Sequence, residues 1–165
     1  IFANTNAAAA GGAISALILT QVVYGKVDLT MVLNGALAGL VSITAEPLTP
    51  TLGAATIIGA VGGAIVVFSV LMLDKFKIDD VVGAIPVHLI AGVWGTLAVP
   101  LTNADASFGT QIISIAIVGA FTVVASAVVW FVIKATLGIR VSEEDELAGL
   151  DTSELGMDAY PEFSK

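Results

Sequence analysis

One stretch of sequence decides the fold: Asp79-Asp80-Val81-Val82-Gly83-Ala84-Ile85-Pro86-Val87-His88-Leu89-Ile90-Ala91-Gly92-Val93-Trp94-Gly95-Thr96-Leu97-Ala98. It begins with two carboxylates, continues as an apolar run and contains the single histidine of the sequence. In a helix, Ala91, Gly92 and Gly95 lie three, four and seven residues after His88 and share its face. That face carries one titratable ring and almost no other side-chain bulk, which favours a place where a small molecule passes or docks.

The composition of the chain is typical of a membrane protein. Of its 165 residues, 57% are hydrophobic and 12% are charged, whereas soluble domains carry about 25% charged residues. The net charge of −8 belongs mainly to the tail, since more than half of the 14 acidic residues follow Arg140. The lack of cysteine excludes disulfides and thiolate chemistry. No basic patch indicates a nucleic-acid partner.

Five apolar segments are candidate membrane spans, since a spanning helix needs about 20 mostly apolar residues. Short polar breaks separate the segments. We therefore expect an all-α polytopic membrane protein with a membrane region over residues 1–140 and a tail over residues 141–165. The expected spans are about residues 2–24, 29–45, 52–73, 81–101 and 109–137.

The basic residues predict the orientation of these segments. Lys26 lies in the first break, Lys75 and Lys77 lie in the third, and Lys134 and Arg140 lie at the end of the fifth segment. The second and fourth breaks contain neither lysine nor arginine. The positive-inside rule produces this alternation. It predicts an external N-terminus and a cytoplasmic tail.

His88 is the strongest candidate for a functional side chain. An ionisable residue inside a span is costly, so it usually faces a bundle interior or a water-filled cavity and marks a pathway. A neutral imidazole offers one hydrogen-bond donor and one acceptor, which suits a small polar molecule such as ammonia or water. The alternative is a structural histidine bonded to a backbone carbonyl of a neighbouring helix. The residues alone do not separate the two roles.

Two polar residues of the second segment are further candidates. Asn34 and Thr44 lie ten residues apart, roughly on one helix face, where both can line a pore. Side chains of this kind more often form hydrogen bonds between helices. Both roles therefore stay open for these two residues.

The start of the central stretch has predicted features of its own. Pro86 has no amide hydrogen, so we expect it to leave the carbonyl of Val82 without a helical partner and to bend the helix. Asp79 and Asp80 stand at the N-terminus of that helix, where carboxylates cap free amides and complement the dipole. We expect Asp79 to act mainly as a cap and Asp80 to have a fixed structural partner as well.

Small residues predict close packing of the helices. Gly35-x-x-x-Gly39 and Gly59-x-x-x-Gly63 are faces that let helix backbones approach each other in lipid. We interpret both as packing faces.

The tail is expected to contain one short helix. Ser142 is suited to cap it, the acidic residues that follow suit the positive end of the dipole, and Gly149-Leu150-Asp151 is expected to break it. The remainder either docks on cytoplasmic loops or is partly disordered.

Four groups of residues resemble the ammonium transporter (Amt/Rh) family. In the central stretch, Asp79-Asp80, Gly83, Val87-His88 and Gly92-x-x-Gly95 are similar to the histidine-bearing helix of that family. The other groups are Ala3-Asn4-Thr5 with its following alanines, residues 34–45, and residues 138–144 with Glu146, Gly149-Leu150-Asp151 and Tyr160. They occur in the family's order along the whole chain, and together they are specific.

The resemblance implies the C-terminal part of an eleven-helix, inverted-repeat transporter. It implies homotrimers with one pore per subunit, in which the N-terminal half of the same polypeptide completes the pore. His88 matches the second of two pore histidines, and Ala84 stands where the family often has a larger apolar pore-lining residue. The cytoplasmic tail would couple neighbouring subunits, and a PII-type regulatory protein can bind the cytoplasmic face. We therefore expect this chain to be a fragment.

The expected function is transport of ammonium or ammonia across the cell membrane through a histidine-lined hydrophobic pore. His88, Asn34, Thr44 and Ala84 are the expected pore residues, and Asp80 is the expected structural cap. We expect no enzyme activity, no cofactor and no metal. The alternative is an ammonium sensor on the same fold that signals through its tail. A third possibility is a channel for another small solute, such as a gas-conducting Rh-type protein.

Overall fold

Successive helices make up the regular structure of the chain. A computed structural model describes residues 1–163, and it contains no strand within that range. The elements are α1 (Phe2–Tyr24), α2 (Leu29–Thr44), α3 (Leu52–Lys75), a π-helical turn (Ile85–Ile90), α4 (Ala91–Ala98), a 3₁₀ turn (Val99–Leu101), α5 (Phe108–Thr136), α6 (Glu143–Ala148) and α7 (Leu150–Leu155). The prediction of an all-α protein is confirmed.

Three of these helices are long and apolar enough to cross a membrane, namely α1, α3 and α5. Two further apolar stretches, Leu29–Thr44 and Ile85–Leu101, are shorter. Local signals define the ends of α1, α2 and α3. Gly25 has a left-handed φ of 74° after α1, the side chain of Asp28 accepts from the amide of Met31, and that of Thr51 accepts from the amide of Ala54.

The chain divides into two compact units, Ile1–Val118 and Gly119–Lys165. In the first unit α1, α2 and α3 pack against one another, and the π-helical turn and α4 pack on α2 and α3. Its core has two clusters of buried apolar residues. One contains Ala8, Ile43, Ala55, Ile58 and Ala98, and the other contains Ala38, Val66, Val87 and Ala91.

Glycines bring α1, α2 and α3 into direct backbone contact. Gly12 of α1 lies so close to Gly35 of α2 and Gly63 of α3 that a β-carbon on any of the three would collide with a neighbouring backbone carbonyl. A β-carbon at Gly39 or Gly59 would collide in the same way with the carbonyl of Ala8, one turn before Gly12. This confirms that the two predicted glycine faces are packing faces.

Two asparagine side chains hold the loop between α2 and α3. The amide of Asn4, on α1, donates to the carbonyls of Pro47 (3.1 Å) and Pro50 (2.8 Å). The amide of Asn103 donates to Glu46 Oε2 at 2.9 Å. Glu46 Oε1 also accepts from two backbone amides of its own loop. The loop is therefore tied to two other parts of the first unit.

The fourth apolar segment becomes helical later than the predicted start at Val81. The regular π-helical turn begins at Ile85, because Gly83 adopts a left-handed φ of 76° that ends the preceding turn. The glycine suits this conformation, since it has no β-carbon to clash. Residues 81–83 therefore form a connection and not a first helical turn.

The second unit contains the C-terminal part of α5 and the helices α6 and α7. Ser142 caps α6 as predicted, and its hydroxyl accepts from the amide of Asp145 at 3.1 Å. Arg140 forms an ion pair with Glu146 at 3.1 Å. The predicted break at Gly149-Leu150-Asp151 is limited to Gly149, because its φ of 95° turns the chain directly into α7. The described part of the tail therefore contains two short helices and not the one expected.

Candidate functional site

His88 lies on the π-helical turn with its side chain exposed. Its imidazole forms no hydrogen bond within residues 1–163. The opposite side of the same element carries the buried residues Pro86, Val87 and Ala91, and Val87 and Ala91 belong to the second core cluster. Packing on that side thus fixes the position of the backbone, and the ring points away from the protein groups that could form a hydrogen bond with it. The prediction that Ala91 and Gly95 share the exposed face of His88 is therefore wrong, since both are buried. The structure does not show the structural alternative, a histidine held by a neighbouring carbonyl.

The π-helical turn is a wider helical turn than an α-helix would form here. The amide of Ala91 donates to the carbonyl of Pro86, five residues earlier. Turns of this kind are rare and occur frequently at functional sites. In this chain the wider turn surrounds His88 and ends where the regular helix α4 begins.

Asp80 caps the start of this element. Its Oδ1 accepts from the amide of Ala84 at 2.9 Å, and its Oδ2 accepts from the amide of Ile85 at 2.8 Å. The expectation that Asp79 acts as a cap is wrong, because Asp79 is exposed and forms no hydrogen bond within residues 1–163. The carboxylate of Asp80 therefore stabilises the backbone at the start of this element.

Pro86 does not bend a continuing helix, which corrects the predicted kink. The first helical hydrogen bond runs from the amide of Val87 to the carbonyl of Gly83, at 3.1 Å. Pro86 therefore falls in the first turn, where a missing amide hydrogen has no helical acceptor to leave empty. The carbonyl of Val82 lies before the helix and accepts a hydrogen bond from Asn34.

Asn34 connects α2 to this start. Its side-chain amide donates to the carbonyl of Val82 at 3.0 Å, and the residue is 9% exposed. A β-carbon at Gly83 would lie 2.7 Å from Asn34 Nδ2, so the contact also depends on the glycine. Asn34, Gly83 and the capped amides of Ala84 and Ile85 thus meet around the entry to the π-helical turn.

Thr44 lies at the other end of α2, about 15 Å along the helix from Asn34. It is exposed, and its hydroxyl donates to the carbonyl of Leu40 in its own helix at 2.7 Å. Ala84 is also exposed and lies one turn before His88. The structure therefore brings Asn34, Asp80 and Ala84 together, and Thr44 is separate from them.

Trp94 forms a structural hydrogen bond, and the sequence did not indicate its acceptor. Its indole donates to the carbonyl of Ile58 on α3 at 3.0 Å, and the ring packs on the first core cluster. One residue later, a β-carbon at Gly95 would lie 2.5 Å from the carbonyl oxygen of Ser42 on α2. These contacts fix α4 against two helices. A tryptophan beside a glycine on a packed helix face is the only sequence signal for them.

The site presents an imidazole that has no hydrogen-bond partner within the described chain, on a helix whose other side is packed against α2 and α3. Asp80 and Asn34 direct their polar atoms at the backbone, whereas His88 keeps both ring nitrogens available. A neutral ring of this kind can accept a hydrogen bond on one nitrogen and donate one from the other. It can thus bind a small polar molecule.

Comparisons with known proteins agree with the resemblance seen in the sequence. The model of the family described as Ammonium Transporter Family matches residues 1–160. The chain is 38% identical to ammonium transporter Amt2 of Archaeoglobus fulgidus, over 99% of this chain and 39% of that protein. It is 40% identical to ammonium transporter Amt1 of Haloferax mediterranei, over 92% of this chain and 30% of that protein.

A solved structure named Sensor Amt Protein is also similar to this chain. The TM-score is 0.85 at 29% sequence identity, over 92% of this chain and 40% of that one. The chain therefore spans less than half the length of these relatives. Since the family model covers nearly the whole sequence and relatives above 30% identity cover more than two thirds of it, the chain belongs to the ammonium transporter family.

Proposed function

We propose that the protein containing this chain conducts ammonium or ammonia across the cell membrane, with His88 facing the conduction pathway. The observation that carries the proposal is the exposed imidazole of His88, which forms no hydrogen bond within residues 1–163. Its backbone is packed on the opposite side. Because a polar ring facing lipid is costly, a pathway is the environment that suits it. Ala84 and Thr44, which are also exposed, are further residues of the proposed pathway.

The rest of the pore wall comes from the remainder of the polypeptide. The surface beside His88 includes the exposed side chain of Leu89, and Val81 and Val82 are exposed before it. A face that joins apolar side chains to one imidazole suits a narrow pore between two halves of a transporter. We further propose an eleven-helix, inverted-repeat architecture assembled as a homotrimer, which the resemblance to the family supports.

Five membrane spans with a cytoplasmic C-terminus are the topology that we propose. Basic residues follow α1, α3 and α5, whereas residues 45–51 and 102–107 contain none. This alternation supports spans at α2 and at Ile85–Leu101 besides the three long helices. The tail from Val141 then lies in the cytoplasm, where it can contact neighbouring subunits or a PII-type regulatory protein.

Uptake of labelled methylammonium by the full-length protein tests the proposal. We expect His88→Ala to lower the uptake rate about 5- to 150-fold, the effect of losing about 1–3 kcal/mol of hydrogen bonding to a desolvated solute. Thr136→Val is the matched control, since this exposed hydroxyl bonds only within α5. Unchanged uptake in the His88→Ala variant, at equal amounts of membrane protein, would remove His88 from the mechanism.

A sensor is the second candidate, favoured by the likeness to the solved structure named Sensor Amt Protein. In a sensor, ammonium would bind beside His88 and change the position of the tail without net transport. Electrical recording on proteoliposomes separates the two functions. Saturable ammonium binding without current or uptake would support the sensor, and uptake that depends on His88 would support the transporter.

A further inference from the structure

The position of the His88 ring depends on the backbone that carries it. No side chain within residues 1–163 bonds the imidazole. Side-chain torsions can move the ring only within a small set of rotamers. Whatever fixes the helical register around His88 therefore fixes where the ring can reach.

Packing against neighbouring helices holds one side of this helical element in place. Pro86 and Val87 are buried, and Val87 lies in a cluster with Ala38 of α2 and Val66 of α3. Apolar packing alone does not determine where a wide helical turn begins, because apolar contacts are not directional. The point at which the element starts needs directional contacts.

Hydrogen bonds supply these contacts at the entry to the turn. Asp80 caps the amides of Ala84 and Ile85, but Asp80 belongs to the same connection and cannot tie the start to another helix. The tie to another helix comes from Asn34, whose amide donates to the carbonyl of Val82. Among the side-chain hydrogen bonds that residues 79–90 form within the described chain, this is the one that reaches a different helix.

Asn34 itself is well supported. It is 9% exposed, and the next residue, Gly35, lies in backbone contact with Gly12 of α1. The amide is thus presented by a helix that has little freedom to move. A buried amide of this kind also has to be bonded, since leaving it unpaired is costly.

We propose that Asn34 is a positioning residue for His88. Its amide holds the carbonyl of Val82 and so fixes, against α2, the point at which the π-helical turn begins. In this role Asn34 acts through the backbone and does not contact the conducted molecule. The proposal rests on the transport function proposed above for His88.

Two variants of Asn34 test this role in the full-length protein. Asn34→Ala removes the donor without adding bulk, and we expect the uptake rate per folded protein to fall about five- to thirtyfold. Asn6→Ala is the matched control, because the exposed amide of Asn6 bonds only the carbonyl of Phe2 in its own helix. Unchanged uptake in the Asn34→Ala variant would overturn the proposal.

Asn34→Asp gives a pH profile that separates positioning from pore lining. A protonated aspartic acid can donate to the carbonyl of Val82, and an ionised one cannot. Burial favours the protonated form. We therefore expect the uptake of the variant, divided by that of the unmodified protein at the same pH, to rise between about pH 8 and about pH 5. The division removes any pH dependence that both proteins share.

A carboxylate that lines the pore in the Asn34→Asp variant would behave in the opposite way. It would attract cations, so the relative uptake would rise towards alkaline pH. That result, or a flat profile, would overturn the positioning role. If Asn34→Asp does not accumulate, the Asn34→Ala comparison decides. His88→Ala serves as the separate control: unchanged uptake there removes His88 from the proposed mechanism, whereas a loss there with normal Asn34→Ala uptake refutes only the positioning role.

Discussion

Replacing Gly59 by alanine tests whether α1 and α3 depend on direct backbone contact. A β-carbon at Gly59 would lie 2.6 Å from both the Cα and the carbonyl carbon of Ala8. Carbon atoms reach favourable contact at about 3.5–4.0 Å, so the two helices would have to separate by roughly 1 Å. Both atoms of Ala8 belong to the backbone, and no side-chain rotation can relieve the collision.

Two opposing terms set the size of the effect. Overpacking of a close contact costs about 1–3 kcal/mol, and separation of the helices also weakens the contacts around it. Exchange of glycine for alanine in a helix interior favours folding by about 0.5–1 kcal/mol. A β-carbon at Gly53, in the same helix, would meet no atom within 4 Å, so Gly53→Ala gives only the second term. Both variants share the second term, so we expect Gly59→Ala to be less stable than Gly53→Ala by the first term, about 1–3 kcal/mol.

Thermal stability of the full-length protein in detergent measures this difference. Samples of both variants and of the unmodified protein are heated in steps, and the fraction that stays monodisperse gives an apparent Tm. We expect the Tm of Gly59→Ala to fall and that of Gly53→Ala to stay or rise. Equal Tm values for the two variants would show that α1 and α3 are not in backbone contact at this position.

Two carboxylates give further predictions. Asp80→Ala should lower the unfolding free energy by about 0.5–2 kcal/mol through loss of the cap, whereas Asp79→Ala should leave the apparent Tm unchanged; equal effects would contradict the assignment of the cap to Asp80. Hydrogen bonding, first from Asn103, holds the pKa of Glu46 below its ordinary value of 4.5. The ionised carboxylate therefore stabilises the fold above pH 4.5, and this contribution is lost as the pH falls through the lower pKa of the folded protein. The Glu46→Gln variant should therefore lose less stability than the unmodified protein between neutral pH and about pH 3. Asp105→Asn is the control. If stability depended on pH in the same way in Glu46→Gln and in the unmodified protein, the assignment would be contradicted.

The helices could be predicted from the sequence because length and apolar content are local properties. The starts of α1 and α3 coincide with the predicted starts at residues 2 and 52. The predicted start of the fourth segment was wrong, because a left-handed glycine inside an apolar run leaves no mark in the hydrophobic pattern. From the sequence Gly83 is equally compatible with a helix, and only the turn that it forms with Asp80 excludes that interpretation.

The roles of the site residues were harder to predict, because they depend on partners distant in sequence. Asn34 was a reasonable candidate for a pore or for a bond between helices, but its acceptor lies 48 residues away. The choice between Asp79 and Asp80 as the cap depends on which carboxylate the turn directs at Ala84 and Ile85. Periodicity does not contain that information.

The distribution of polar bonds explains why His88 differs from the other polar residues of the first unit. Within residues 1–163 no buried side-chain nitrogen or oxygen lacks a hydrogen-bond partner. Asn34, Asp80 and Trp94 each donate to or accept from a backbone group, which fixes one helix against another or closes a helix start. If His88 had the same purpose, its ring would also bond a backbone group, and the packed side of its helix would provide one. The ring instead lies on the exposed side, so its polar atoms stabilise nothing within the described chain, which supports the proposal that they bind the conducted molecule.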